Sequence, residues 1–144
     1  MSDVKLEEVP RGHVMALISR HSEVLLSLEE RDLMADCLLQ SSHIYVGLID
    51  DRLVCIFGLI TPTLLSERAY LWLYTTPEVE AHKFIFVRYS QRVLEQLLKQ
   101  YPDIQGHVLS HREDSKQWLR WLGAEFMYSN GELTPFQIKE RARG

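Results

Sequence analysis

Two histidines and a serine have the spacing in this sequence that comes nearest to a catalytic or metal-binding pattern. His107 and His111 are four residues apart, and Ser110 directly precedes His111. On a helix, two histidines at this spacing can share a metal ion, but here they straddle the predicted end of a strand, where their side chains do not converge. No acid is placed to complete a nucleophilic triad, because Glu113 and Asp114 are typical of the first turn of a helix. The pattern therefore favours neither a metal site nor nucleophilic catalysis.

Aromatic side chains form the next candidate group. Trp118 and Trp121 are three residues apart on a predicted short helix and share one of its faces. Tyr70, Trp72 and Tyr74 alternate along a predicted strand and share one face of a sheet. Trp and Tyr are frequent both in protein cores and at the centres of interfaces. Core packing and contact with a protein partner therefore both remain open for Trp118 and Trp121.

Two groups of basic residues could meet a partner. Arg88, Arg92 and Lys99 lie along one side of a predicted long helix, and the stretch Lys139-Glu140-Arg141-Ala142-Arg143 stands near the end of the sequence. A solvated helix face and a loose terminus explain both groups. A protein contact through Arg88 and Arg92 is the alternative.

The composition is that of a globular protein. The 144 residues are 46% hydrophobic and 25% charged, which is typical of one domain. A net charge of −4 argues against generic nucleic-acid binding, which needs a basic surface. Cys37 and Cys55 lie in apolar surroundings without a Cys-x-x-Cys spacing, so we expect buried free thiols in a reducing cytoplasm. The sequence shows neither a secretion signal nor an apolar run that could span a membrane, so no membrane partner is expected.

Apolar and alternating stretches predict seven strands. In chain order they are Val4–Val9, Ile44–Ile49, Leu53–Ile60, Ala69–Thr75, Ile104–Ser110, Ala124–Tyr128 and Leu133–Lys139. The turn Asp50-Asp51 joins the second strand to the third, and Ser129-Asn130-Gly131 joins the last two. Pro135 predicts an edge position for the last strand, because proline cannot donate to a ladder.

Caps and apolar periodicity predict four helices. They run from His13 to Arg20, from the capping box at Ser27–Glu30 to about Ser41, from Pro77 to about Tyr101, and from Asp114 or Ser115 to Leu122. Gly123 is expected to end the last helix in a left-handed conformation. The residues expected on the buried sides of the second and third helices are Leu28, Leu33, Met34, Cys37, Leu38, Phe84, Val87, Leu94, Leu97, Leu98 and Tyr101. The order β-α-α-β-β-β-α-β-α-β-β predicts a single α/β domain with a mixed sheet flanked by helices on both faces.

This order of elements resembles that of the GNAT superfamily of N-acetyltransferases. The stretch Ile49–Gly58, in which a short polar turn leads into an apolar strand ending near a glycine, is similar to the family's hairpin. The stretch Ser115–Phe126 is similar to the family's late helix, which ends in aromatic pairs followed by Leu-Gly-Phe. The resemblance covers nearly the whole chain.

A closer resemblance is to small GNAT-like proteins of tailed phages, including an internal virion protein of short-tailed phages. Two local patterns carry it: Trp72-Leu73-Tyr74-Thr75-Thr76 before the long helix, and Leu-Gly-Ala-x-Phe at Leu122–Phe126. This resemblance implies a host cytoplasm or a virion as the setting, with other virion proteins as partners.

The resemblance also implies an acetyl-CoA site that has lost its usual residues. GNAT enzymes hold the pyrophosphate in an Arg/Gln-x-x-Gly-x-Gly/Ala loop at the start of the long helix, where backbone amides approach the phosphates. The matching stretch, Thr76–Phe84, contains no glycine. Pro77 removes an amide donor, and Glu78 and Glu80 place negative charge where the phosphates would lie.

The catalytic groups of the family are missing in the same way. The tyrosine that protonates the departing thiolate falls on Leu119 when the sequences are aligned on Gly123, and leucine cannot donate a proton. The strand before the long helix offers no carboxylate as a general base. If the chain is active, Tyr74 or Tyr128 would act in proton transfer. The residues that would then contact acetyl-CoA are Tyr74, Thr75, Val79, His82 and Lys83.

Three functions follow as hypotheses. The first is a non-catalytic GNAT-like protein that takes no cofactor and acts through protein contacts in a virion or its assembly. The second is an acetyl-CoA-dependent N-acyltransferase with an atypical pyrophosphate loop. The third is a module that binds a small molecule or nucleotide in a retained cleft. The sequence leaves the partner and the oligomeric state open.

Overall fold

The computed structural model describes residues 3–21, 26–62, 67–129 and 131–139. Seven strands form one mixed sheet in the order β1-β2-β3-β4-β5-β7-β6. The strands are β1 (Val4–Glu8), β2 (His43–Ile49), β3 (Arg52–Ile60), β4 (Arg68–Thr75), β5 (Asp103–Leu109), β6 (Glu125–Phe126) and β7 (Leu133–Lys139). The helices are α1 (Val14–Ser19), α2 (Leu28–Gln40), α3 (Glu78–Ala81), α4 (Lys83–Gln100) and α5 (Glu113–Trp121), with a 3-10 turn at Arg11–His13 before α1. The predicted α/β class and element order are confirmed.

The chain folds as two compact units, each built from two separate segments. Unit one comprises residues 1–60 and 73–83, and unit two comprises residues 61–72 and 84–144. Strand β4 therefore contributes residues to both units. No helix in the described part of the chain is long and apolar enough to cross a membrane.

Unit one is built on the antiparallel meander β1-β2-β3. Asp50 and Asp51 form the predicted tight turn with positive φ angles of 52° and 64°, a conformation that aspartate tolerates better than most residues. The register then jumps from Cys55 opposite Gly47 to Leu53 opposite Leu48. The extra residue of β3 forms a β-bulge, which locally bends the strand.

Helix α2 begins at the predicted capping box, with Ser27 as N-cap. Met34 and Leu38 are buried, but Leu28 is 81% exposed, so its predicted burial is wrong. The reason is helical phase: residues four apart share a face, and Leu28 falls outside the stripe that runs through Met34 and Leu38.

The predicted long helix is divided. Helix α3 ends at Ala81, His82 has non-helical angles of −126° and 30°, and α4 begins at Lys83. Phe84 is 84% exposed while Phe86 is buried, so the predicted burial of Phe84 is wrong. An α-helix turns about 100° per residue, which places Phe84 and Phe86 on opposite sides of α4.

Unit two carries parallel and antiparallel pairs. Strands β4 and β5 pair in parallel from Arg68–Asp103 to Leu71–Gly106, and β5 pairs antiparallel with β7. Strand β7 also pairs with β6, so the predicted edge position of β7 is wrong. The Pro135 carbonyl accepts from the Met127 amide, 2.9 Å away. The proline nitrogen faces the same side but has no hydrogen to return this bond, which agrees with the end of the two-residue β6 before Met127.

The end of α5 follows the predicted left-handed termination. Gly123 has a φ of 92°, its amide donates to Arg120, and the Ala124 amide donates to Leu119, which is a Schellman motif. At the other end Arg112, rather than Asp114 or Ser115, occupies the N-cap position. Strand β6 covers only Glu125–Phe126 of the predicted Ala124–Tyr128. Asn130 of the predicted hairpin turn and residues 140–143 of the basic stretch lie outside the described residues.

Candidate functional site

The turn between β4 and α3 is anchored to the β-bulge of β3. The Thr76 amide donates to the Val54 carbonyl at 2.9 Å, and the Thr76 hydroxyl donates to the Leu53 carbonyl at 2.6 Å. Thr75 and Thr76 are 1% and 0% exposed. Through these two bonds Thr76 holds the turn against β3 at the residues of the bulge.

Several backbone amides of this turn are already engaged. The Val79 amide donates to the Thr76 carbonyl at 3.1 Å, and the Glu80 amide donates to the Pro77 carbonyl at 3.2 Å. The His82 amide donates to the Val79 carbonyl at 3.3 Å. These three amides, with that of Thr76, are donors in the stretch that matches the family's pyrophosphate loop. They do not form the open cradle that the glycine-rich loop provides.

Charges around the turn are paired with one another. The Arg52 guanidinium lies 2.7 Å from the Glu78 carboxylate, which is only 20% exposed. The Lys83 ammonium lies 3.6 Å from the Glu80 carboxylate in an exposed i,i+3 pair. The cations Arg52 and Lys83 could meet a phosphate only by exchanging these carboxylates for it.

The five residues proposed to contact acetyl-CoA all belong to unit one, but their exposures differ. Tyr74, Thr75 and Val79 are 7%, 1% and 8% exposed, so their side chains face the interior. His82 and Lys83 are half-buried. The fit to a coenzyme A pyrophosphate is therefore partial: side-chain cations are present, while four of the backbone donors are engaged.

The two proposed proton-transfer tyrosines have opposite environments. Tyr74 lies buried on β4 in unit one, whereas Tyr128 follows β6 in unit two and is 88% exposed. The predicted strand Ala124–Tyr128 ends at Phe126, so Tyr128 lies beyond it with its side chain in solvent. Leu119, at the position of the family's tyrosine, is fully buried in unit two.

The two tryptophans of α5 also separate. Trp118 is 7% exposed and stacks on Phe86, with ring centroids 4.8 Å apart. Its indole nitrogen has no hydrogen-bond partner in the part of the chain that the structure describes. Trp121 is 39% exposed, and its carbonyl accepts from the Gln91 side chain at 3.5 Å. Trp118 is a core residue, and only Trp121 offers a surface to solvent.

Unit two also holds a polar network that the sequence pattern missed. The Tyr70 hydroxyl hydrogen-bonds His107 Nδ1, and their rings lie 5.5 Å apart. Asp103 accepts from Gln137 at 2.8 Å and from Arg68 at 3.2 Å. These two contacts, led by the Gln137 hydrogen bond, lower the pKa of Asp103. The pairing of β4 with β5 brings these groups together, and a sequence pattern does not contain that register.

His107 and His111 do not belong to a metal-ligand cluster among the described residues. Across residues 3–21, 26–62, 67–129 and 131–139, no three His, Cys, Asp or Glu side chains are grouped to hold a metal ion. His107 instead pairs with Tyr70.

Solved N-acetyltransferases share this fold along almost the whole chain. A chimera of the Vibrio cholerae spermidine N-acetyltransferase SpeG and hSSAT has a TM-score of 0.64 at 15% identity, covering 94% of this chain and 95% of the other. The Campylobacter jejuni N-acetyltransferase PseH has a TM-score of 0.58 at 12% identity, covering 96% and 99%. The dodecameric Vibrio cholerae spermidine N-acetyltransferase has a TM-score of 0.60 at 14% identity, covering 94% and 93%.

The chain matches no protein-family model and no curated protein. Identities of 12–15% establish a common fold and leave the activity to be argued from the residues. On fold, the comparisons agree with the element order and the mixed sheet, and this chain therefore has the fold of the GNAT N-acetyltransferases.

Proposed function

We propose that this chain acts as one acyltransferase domain, an acetyl-CoA-dependent N-acyltransferase whose pyrophosphate loop is atypical. The observation that carries the proposal is the near full-length likeness to solved N-acetyltransferases, which covers 94% and 96% of this chain. The free thiols of Cys37 and Cys55, both in unit one, favour a reducing cytoplasm as its location.

Side chains rather than backbone amides would hold the coenzyme. Arg52 and Lys83 supply the cationic groups near the turn, His82 adds a ring nitrogen that can hydrogen-bond, and the anchored Thr76 holds the turn in place. Acetyl-CoA would supply the activated acyl group, and coenzyme A would leave as the thiol. The carboxylates of Glu78 and Glu80 oppose phosphate binding, so this arrangement predicts weaker affinity than a glycine-rich loop provides.

Titration of the purified protein with acetyl-CoA and desulfo-CoA tests the proposal. A ligand at 100 times its Kd stabilises a fold by about 2.7 kcal/mol, which raises Tm by several degrees. Lys83→Ala should weaken binding in calorimetry, and Lys5→Ala on exposed β1 serves as the matched control. Saturable binding followed by acyl transfer to an amine, with spermidine as the first acceptor tried, would support the proposal. The absence of any shift at millimolar ligand would refute it.

A second candidate function is favoured by the turn itself. The engaged amides and the 2.7 Å Arg52–Glu78 ion pair suit a non-catalytic domain that takes no coenzyme and acts through protein contacts. The phage setting, in a virion or its assembly, rests on the sequence patterns around Trp72 and Leu122 alone. A titration in which acetyl-CoA leaves Tm unchanged, combined with specific capture of another virion protein, would favour this candidate. The third hypothesis, a module that binds a small molecule or nucleotide in a retained cleft, predicts that a nucleotide raises Tm and that acetyl-CoA does not.

A further inference from the structure

An exposed basic and aromatic face runs along α4. Arg88 and Arg92 are exposed and lie one turn apart on the same side of the helix. Phe84, which precedes Arg88 by one turn, is 84% exposed, and Ile85 and Tyr89 beside it are 39% and 36% exposed. We call these five residues the α4 face. A large exposed aromatic beside two arginines has the composition that is enriched at protein interfaces.

Helix α2 presents a face of the opposite charge. Asp32 and Asp36 are exposed and also lie one turn apart. Leu28, one turn before Asp32, is 81% exposed, and Leu39, one turn after Asp36, is 69% exposed. We call these four residues the α2 face. Two exposed leucines that flank two carboxylates are an unusual outer surface for a helix in water, because the solvated side of a helix is normally polar.

The two faces match in spacing as well as in charge. Residues four apart on a helix have Cβ atoms roughly 5–6 Å apart, so the Cβ atoms of Asp32 and Asp36 have the same spacing as those of Arg88 and Arg92. Within the described ranges, Arg88, Arg92, Asp32 and Asp36 form no salt bridge. Both faces are therefore exposed within one chain, and each carries charge that a complementary surface can use.

We propose that the α4 face of one copy of this chain docks on the α2 face of a second copy. The contact pairs Arg88 and Arg92 with Asp32 and Asp36, and it covers the exposed apolar side chains next to them. Because two different surfaces meet, the contact is heterologous, so repetition gives a closed ring or an open chain of copies. The inference does not depend on acyl transfer, because it uses neither the β4–α3 turn nor coenzyme A.

Sedimentation of the full chain over a range of concentrations tests the docking surface. We expect reversible self-association at low salt that weakens about tenfold or more in 0.5 M NaCl, since partly exposed charge pairs are screened. Arg88→Glu with Arg92→Glu should abolish it, and Asp32→Lys with Asp36→Lys should do the same, because each change places like charges opposite one another. The matched control is Lys5→Glu with Arg20→Glu, an equal change of charge on exposed residues outside both faces.

Mixing the two charge-reversed proteins gives the decisive result. Each keeps one original face and one reversed face, so the mixture contains complementary pairs that neither protein has alone. Association should return in the mixture, and also in a single chain that carries all four substitutions. This rescue separates docking from misfolding, because an unfolded variant would not recover. A wild-type protein that stays monomeric at low salt, or reversals that do not associate when mixed, would overturn the proposal.

Discussion

Trp118 and Trp121 are three residues apart, yet their surroundings assign them to different physical roles. Trp118 stacks on Phe86 and is nearly buried, whereas Trp121 keeps 39% of its surface exposed. Both lie on one face of α5 in unit two, so the difference comes from what each ring packs against rather than from the face it occupies. A buried indole of this size makes a large contribution to the core through its area alone.

Replacing Trp118 with alanine should lower the free energy of unfolding by about 3–5 kcal/mol, because the cavity next to Phe86 cannot close completely. Trp121→Ala should cost less than ~1 kcal/mol, since much of that side chain is already in water. Urea denaturation of the two variants and the wild type measures both values. Equal losses for the two tryptophans would contradict the assignment of Trp118 alone to the core.

Cys55 shows how burial alone changes the acid–base behaviour of a residue. Its side chain is 3% exposed beside Gly47, where an added Cβ atom would lie 2.7 Å from the Cys55 sulfur. Desolvation raises the pKa of the Cys55 thiol to about 12. Cys37 is half-buried, and desolvation also raises the pKa of its thiol.

The raised pKa of Cys55 predicts a loss of stability in alkali. Below about 8.5, the thiol pKa in an unfolded chain, both states hold the proton and the stabilisation is complete. As the pH rises toward the folded pKa of about 12, only the unfolded state loses the proton, so unfolding becomes easier. The free energy of unfolding should fall between pH 8.5 and 10 more steeply in the wild type than in Cys55→Ala, by at most about 1.4 kcal/mol per pH unit. If the free energy of unfolding falls equally with pH in the two proteins, the raised pKa of Cys55 does not contribute to the loss of stability.

At the scale of elements, strand β5 depends on a residue without a side chain. A Cβ atom at Gly106 would collide with the Leu71 carbonyl oxygen and would lie 2.5 Å from Phe136 Cζ. Gly106 pairs with Leu71 on β4 and with Phe136 on β7. Three strands therefore meet at this position with no room for a methyl group.

Gly106→Ala should destabilise the protein by about 3 kcal/mol, because a backbone carbonyl and a packed aromatic ring cannot both move aside. Gly131→Ala is the matched control, since an added Cβ there meets no atom within 4 Å. Thermal unfolding followed by circular dichroism compares the two variants. A Tm for Gly106→Ala equal to that of the control would show that β4 and β7 adjust to the methyl group.

Helix α4 and strand β7 show why local patterns predicted some neighbours incorrectly. The predicted helix from Pro77 to Tyr101 has the correct limits to within a residue or two, but the break at His82 sets a separate phase for α4. Phe84 consequently points outward. Pro135 indicated an edge strand, yet β7 is interior because β6 pairs with Phe136 and Gln137, next to the proline. Both errors concern which neighbour a side chain meets rather than the type of element.

For the whole molecule, the exposed faces of α2 and α4 predict that stability depends on protein concentration. Self-association stabilises the folded state by mass action, so Tm should rise between about 1 and 100 μM at low salt. The rise should disappear in 0.5 M NaCl and in the Arg88→Glu, Arg92→Glu protein. Scanning calorimetry at several concentrations measures it. A Tm that is independent of concentration under all conditions would argue for a monomer.

The sequence by itself determined the order of elements, their class and most of their ends. Caps, turn residues and apolar periodicity are local signals, and they identified the Ser27 capping box, the Asp50-Asp51 turn and the Gly123 termination correctly. The absence of glycine between Thr76 and Phe84 is equally local, and it already indicated an altered coenzyme loop. Only the tertiary structure decided that Thr76 is fixed to the bulge of β3, that Arg52 neutralises Glu78, and that Tyr70 meets His107. These contacts join residues 23, 26 and 37 positions apart, and such distances are set by strand register and helix phase, which no local pattern contains.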